Sequence, residues 1–177
     1  GSALRAAGDV EAALASWRRA CELQPDYAMG WFNLGRNLQL RGESSQAVEA
    51  LQRAIGLSPE LWPAAVLLGD ALVHLGRFDE AAASYREVLR QQPGCGDAWR
   101  GLSNIKTQPL SKQDREHLQQ IIAAGKAVDA DRIAMGHALG KSLEDAGDYD
   151  AAFEAIAEAN ARQARIRHQV TAADLSP

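Results

Sequence analysis

Two cysteines and four histidines are the residues of this 177-residue chain best suited to act as nucleophiles, bases or soft metal ligands. Cys21 and Cys95 lie far apart, with no C-x-x-C partner and no histidine at protease or nucleophile-elbow spacing. They read as small packing residues and as reduced thiols of a cytoplasmic setting. His74, His117, His137 and His168 fall in four different predicted helices without His-x3-His spacing. A metal site would have to recruit ligands from other helices, and none is expected. Gly94-Cys95-Gly96 is the one glycine cluster. A phosphate loop needs a strand before it and Lys-Ser/Thr after it; neither is present, so the cluster reads as a turn. Glu144-Asp145 and Asp148-Asp150 flank a predicted turn and cap a helix start, with paired acid–base carboxylates as the remote alternative. The run Arg162 to His168 reads as a solvated helix end or a contact with a following domain, with RNA or a membrane as the other option. The expectation is no catalytic residue, no cofactor and no metal.

The elements that hold these side chains are helices. The chain is 46% hydrophobic with only six prolines, alanine is abundant and β-branched residues are few. That profile predicts an all-α protein able to bury one continuous core. The net charge is −4 with interspersed signs, so no strong field invites nucleic acid. No apolar run reaches the length of a membrane span. No signal peptide is visible, and the chain opens inside a repeat, so a native N-terminus ahead of Gly1 is expected.

Residues 29–59 set the pattern. Trp31, Leu34 and Leu38 recur at helical spacing, as do Ala47, Leu51, Ala54 and Ile55, and Gly42 lies between them. The spacing predicts two helices joined by a tight turn at a glycine able to adopt positive φ. The hairpin repeats at a step of 34 residues. Pro25, Pro59 and Pro93 form one column; Gly8, Gly42 and Gly76 another; Ala13, Ala47 and Ala81 a third; Gly35 and Gly69 a fourth. Period and columns resemble the tetratricopeptide repeat (TPR) family. Small Gly and Ala suit close helix crossings, and Pro ends the second helix because it lacks an N–H.

The expected architecture is an all-α, right-handed TPR superhelix (α-solenoid) of about five helix-turn-helix hairpins, the fourth divergent, in a single domain over 1–177. The repeats fall at about 1–26, 27–60 and 61–94, followed by a divergent unit 95–127, a last repeat 128–170 and a linker 171–177. In the first repeat a helix end at 3–7, a turn at Gly8-Asp9 and a second helix over 10–23 are expected. In the fourth, Thr107-Gln108-Pro109-Leu110 breaks the pattern, and Ser111 with Asp114 reads as a capping pair for a helix ending at Gly125. The last helix is expected from about Asp148 to His168.

Residues 97–170 carry a second resemblance. Leu110, Ser111 and Asp114, then Gly140, Lys141, Glu144, Asp145, Gly147, Asp148, Tyr149, Ala152 and Phe153, look like the TPR region of bacterial TPR-containing sulfotransferases. That family's catalytic domain follows its repeats and opens with a Gly-rich P-R-S-G-T-type loop. No such loop occurs here. The resemblance implies a substrate-presenting segment with a catalytic domain downstream of Pro177.

In TPR proteins the first helix of each repeat lines the concave side. By that phase, repeat two turns Met29, Phe32 or Asn33, Arg36 and Leu40 to the groove. Repeat three turns Val66, Leu67, Asp70 and His74; repeat four Asp97, Arg100, Asn104 and Thr107; the last repeat His137, Lys141 and Asp145. Asn33, Arg36, Asp70, His74, Arg100, Asn104, His137 and Lys141 are the candidate partner-binding residues. Arg and Asn at successive turns can hold an extended peptide by its carbonyls and carboxylates; equally, they can be solvated polar residues. The expected function is a non-catalytic scaffold for a protein or peptide, within a larger protein.

Overall fold

The computed structural model describes the backbone of residues 2–174 and the side chains of residues 10–167. The region before Ser2, the His168 side chain and the last three residues of the expected linker lie outside that range. The described residues form nine α-helices and no strand. They group into two compact units, residues 1–91 and 92–177. The division falls at the end of the last repeat in strict 34-residue phase.

The first unit holds α1 (Ser2–Leu23), α2 (Ala28–Leu40), α3 (Ser44–Leu57), α4 (Trp62–His74) and α5 (Phe78–Gln91). The second holds α6 (Gly96–Ser103), α7 (Lys112–Ala124), α8 (Asp129–Asp145) and α9 (Tyr149–Asp174). Hairpins α2/α3, α4/α5 and α8/α9 close in one way. Gly42, Gly76 and Gly147 take φ of 84°, 72° and 82°. That left-handed turn lets two N–H groups reach back to the helix end: Gly42 to Gln39 O and Glu43 to Leu38 O, both at 2.9 Å. Arg77 to Leu72 O and Asp148 to Leu143 O, each at 2.9 Å, repeat the Glu43 bond.

The other columns report close packing. A Cβ on Gly35 would lie 2.6 Å from Leu51 Cγ, on Gly69 2.5 Å from Tyr85 Cε1, and on Gly140 2.4 Å from Ile156 Cγ1. Each glycine thus admits a large side chain from its partner helix. Ala47 and Ala81 are fully buried. Trp31 and Trp99 donate from Nε1 to the carbonyls of Pro25 at 2.9 Å and Pro93 at 2.8 Å. The proline that ends one helix therefore anchors the tryptophan of the next.

Four expectations are corrected. Gly8-Asp9 is not a turn: α1 runs unbroken from Ser2 to Leu23. A mid-helix glycine costs only about 1 kcal/mol, so Gly8 can be carried inside a helix. Val66 is buried, not turned to a groove. The fourth unit is not a close hairpin. The segment around Pro109 cuts α6 to eight residues, both α6 and α7 pack on α8, and the two meet edge-on through Trp99 and His117 at 6.1 Å. Ser103 replaces the column glycine there and bonds Arg100 O at 2.9 Å. Finally, 171–174 are helical, because α9 contains neither Gly nor Pro to stop it.

The Ser111 expectation is met in detail. Its Oγ accepts from Asp114 N at 3.1 Å, and Asp114 Oδ2 accepts from Ser111 N at 2.9 Å. Gly125 closes the helix at φ 68°.

Candidate partner-binding faces

In the first unit, α2 carries Met29, Asn33, Arg36 and Leu40 at spacings of four, three and four, which is one helical face. Met29 and Leu40 are exposed, at 40% and 71%. Asn33 spends its Nδ2 on Met29 O at 2.9 Å, and its backbone carbonyl accepts from Asn37 Nδ2 at 2.8 Å. Arg36 is exposed, and among the described residues no carboxylate pairs with it. On α4, Asp70 accepts the Tyr85 hydroxyl at 2.6 Å, so part of its carboxylate serves the α4/α5 packing. His74 is exposed in the last turn of α4. Gln39 joins the two first helices by donating to Leu67 O at 2.8 Å. Sequence reasoning passed over that residue because its acceptor lies a whole repeat away.

In the second unit, Arg100 is exposed and pairs with Asp97 at 2.9 Å. Asn104 is exposed at the C-cap of α6. His137 and Lys141 share a face of α8, both half-buried. Lys141 Nζ reaches Asp145 at 3.0 Å. Exposed intrahelical pairs of this kind are worth about 0–1 kcal/mol, so a ligand carboxylate can exchange with them at little cost. The structure thus groups the eight candidates as two faces in each unit.

The basic run does not behave as a helix end. Arg162 lies within α9, its side chain only 17% exposed, paired with Asp129 at 3.1 Å and Glu158 at 3.3 Å. Arg165 and Arg167 are exposed.

Both cysteines are free and buried. Burial pushes the Cys21 thiol up. Cys95 is pushed up first by burial, with Asp131 and Asp97 adding to it against backbone N–H groups that pull it down. The thiolate is the reactive form, so both are poorly reactive. Iodoacetamide is expected to label neither in the native protein and both in denaturant; rapid native labelling of either, read by mass spectrometry, would refute the packing role. Among the described residues no three His, Cys, Asp or Glu side chains come together as metal ligands. No described helix is long and apolar enough to cross a membrane.

The glycine-closed hairpins and the 34-residue columns coincide with known sequence families. A Tetratricopeptide repeat model matches residues 38–105, and a TPR repeat model matches residues 1–40. The chain is built on tetratricopeptide repeats. Cellulose synthase operon protein C of Pseudomonas fluorescens (strain SBW25) is 34% identical over 131 residues, covering 70% of this chain and 10% of that protein. Small glutamine-rich tetratricopeptide repeat-containing protein 2 of Mycosarcoma maydis is 27% identical over 130 residues, covering 73% and 37%. The chain therefore spans well under half of these relatives. Among solved structures, MamA superposes with a TM-score of 0.72 at 18% identity, over 93% of this chain and 94% of MamA. The TPR-like repeats of a putative kinesin light chain of Podosopora anserina give 0.69 at 19%, over 91% and 90%. These likenesses confirm an all-α TPR fold, which is typically a non-catalytic scaffold for protein–protein interaction.

Proposed function

We propose that this TPR segment is a non-catalytic scaffold that binds protein or peptide segments on the first-helix faces within each of its two units, in a reducing, cytoplasmic setting. The observation that supports it is the α2 face. Arg36 stands exposed and unpaired among the described residues, between apolar Met29 and Leu40 with Asn33 beside it. A guanidinium takes a carboxylate bidentately, Asn reads the peptide backbone, and the apolar neighbours shield both. Arg100 and Asn104 offer the same chemistry two repeats on, and Asp70, His74, His137 and Lys141 complete the set. Acidic or amide-bearing peptides are the expected ligands, with modest affinity that falls as salt is added.

A peptide array probed with the wild type and an Arg36→Ala/Arg100→Ala double variant tests this. Acidic peptides should lose most of their signal with the variant. Equal binding by both proteins would refute the groove reading.

A second reading makes this the substrate-presenting segment of a sulfotransferase. It draws on the match over residues 110–153, whose Leu110-Ser111-x-x-Asp114 start forms a complete capping box. Sequencing beyond Pro177 decides it: a Gly-rich P-x-S-G-T-like loop supports the reading, and its absence through the following domain removes it.

A further inference from the structure

One side of α9 is spent on α8. Ala152 and Ala159 are buried there, and a Cβ on Gly136 of α8 would lie 2.9 Å from Ala159 Cβ. The other side carries Tyr149 and Phe153, about one turn apart and 69% and 74% exposed. Ala157, also exposed, lies about 160° round the helix from Ala159, so this is the outer face. Phe153 follows its turn glycine by six residues, as Val48 does on α3. Val48 is 3% exposed in a hairpin whose second helix is packed by α4. The position is thus one that this fold covers with a helix.

The rest of the face shows which helix suits it. Ala157, Asn160, Ala161 and Ala164 stand at i, i+3, i+4 and i+7. Four such residues frame the hole that a side chain of a facing helix enters, and these are small enough to admit a phenyl ring. The knob, Phe153, sits one turn before that hole. A second α9 laid antiparallel, with the twofold axis at Ala157, seats Phe153 of each copy in the hole of the other, an isologous contact. The charges obey the same symmetry. Asp150 and Arg165 stand toward opposite ends of the face, both exposed and unpaired among the described residues. They lie seven residues before and eight after Ala157. Antiparallel copies therefore bring Asp150 of each beside Arg165 of the other. A parallel copy would set Phe153 on Phe153 and Asp150 on Asp150.

We propose that the outer face of α9 pairs antiparallel with the same face of a second copy of this chain. One helix pair covers less than the roughly 1,200–2,000 Å² of a fixed interface, so a dimer in exchange with monomer is expected. The face belongs to the second helix of its hairpin, so this pairing and the first-helix binding faces can fail separately. Sedimentation equilibrium of the 177-residue chain between about 1 μM and 1 mM, where weak interfaces dissociate, tests it. The mass of the wild type should rise from one copy toward two. Phe153→Glu should weaken the dimer at least about tenfold, as for a central aromatic anchor. Because Phe153 is exposed in the monomer, the melting temperature of dilute protein should not fall. Asp150→Arg and Arg165→Asp should each weaken the dimer, and the two together should restore it. A wild type that stays monomeric throughout would leave the face to a helix of another protein and overturn the proposal. A dimer untouched by Phe153→Glu, or a double charge swap weaker than either single one, would overturn it as well.

Discussion

Leu118→Ala is expected to release α7 from the second unit. Leu118 is fully buried and is the one buried residue of that helix. Truncating a buried leucine costs about 2–5 kcal/mol through lost transfer energy and the cavity left behind. No second buried side chain holds α7, and thirteen residues make a marginal helix without tertiary packing. The capping box at Ser111 and the left-handed Gly125 then have only local stabilisation to offer. Hydrogen exchange should find the α7 amides nearly unprotected in the variant, while those of α2 to α5 exchange as in the wild type. An unchanged melting temperature and unchanged α7 protection would show that Ile121 and Ile122, both half-buried, carry the helix instead.

Gly69→Val should be nearly as damaging, for the opposite reason. An added Cβ would fall 2.5, 2.7 and 2.9 Å from three carbons of the Tyr85 ring. The ring has nowhere to go: Tyr85 is 1% exposed and its hydroxyl is tied to Asp70. Overpacking of this kind costs about 1–3 kcal/mol, and the β-branch adds volume on both sides of the clash. Combining the change with Tyr85→Leu supplies the check. The double variant should lose less than the sum of the two single losses, by about 0.5–3 kcal/mol, as expected for residues in contact. Strict additivity in denaturant melts would mean that the α4/α5 crossing is not the cause.

The repeat columns were legible because each encodes something local or one step away. Gly42, Gly76 and Gly147 mark a backbone angle that L side chains avoid, so the turn is written in the residue itself. Gly35 and Gly69 mark the room a partner helix needs. Ser111 and Asp114 spell out a cap that closes within one turn. The α2 face could be read from helical phase, since a fixed period places Met29, Asn33, Arg36 and Leu40 on one side whatever surrounds them.

What depends on neighbours was not legible. Gly8 stands in the same column as Gly42 yet lies within a helix, because a glycine permits a turn without requiring one. Val48 and Phe153 each follow a turn glycine by six residues. Val48 is 3% exposed in the unit where α4 packs on α3, whereas Phe153 is 74% exposed and no described helix follows α9. Arg162 reads as one cation in a basic run, but α8 and its own helix supply two carboxylates that make it a half-buried tie. Periodicity and residue type determined the all-α repeat fold, its turns and its close crossings, because these follow from backbone angles and side-chain volume. Which polar groups are satisfied and which are left over was decided only by the tertiary structure, because a hydrogen-bond partner is a matter of distance in space.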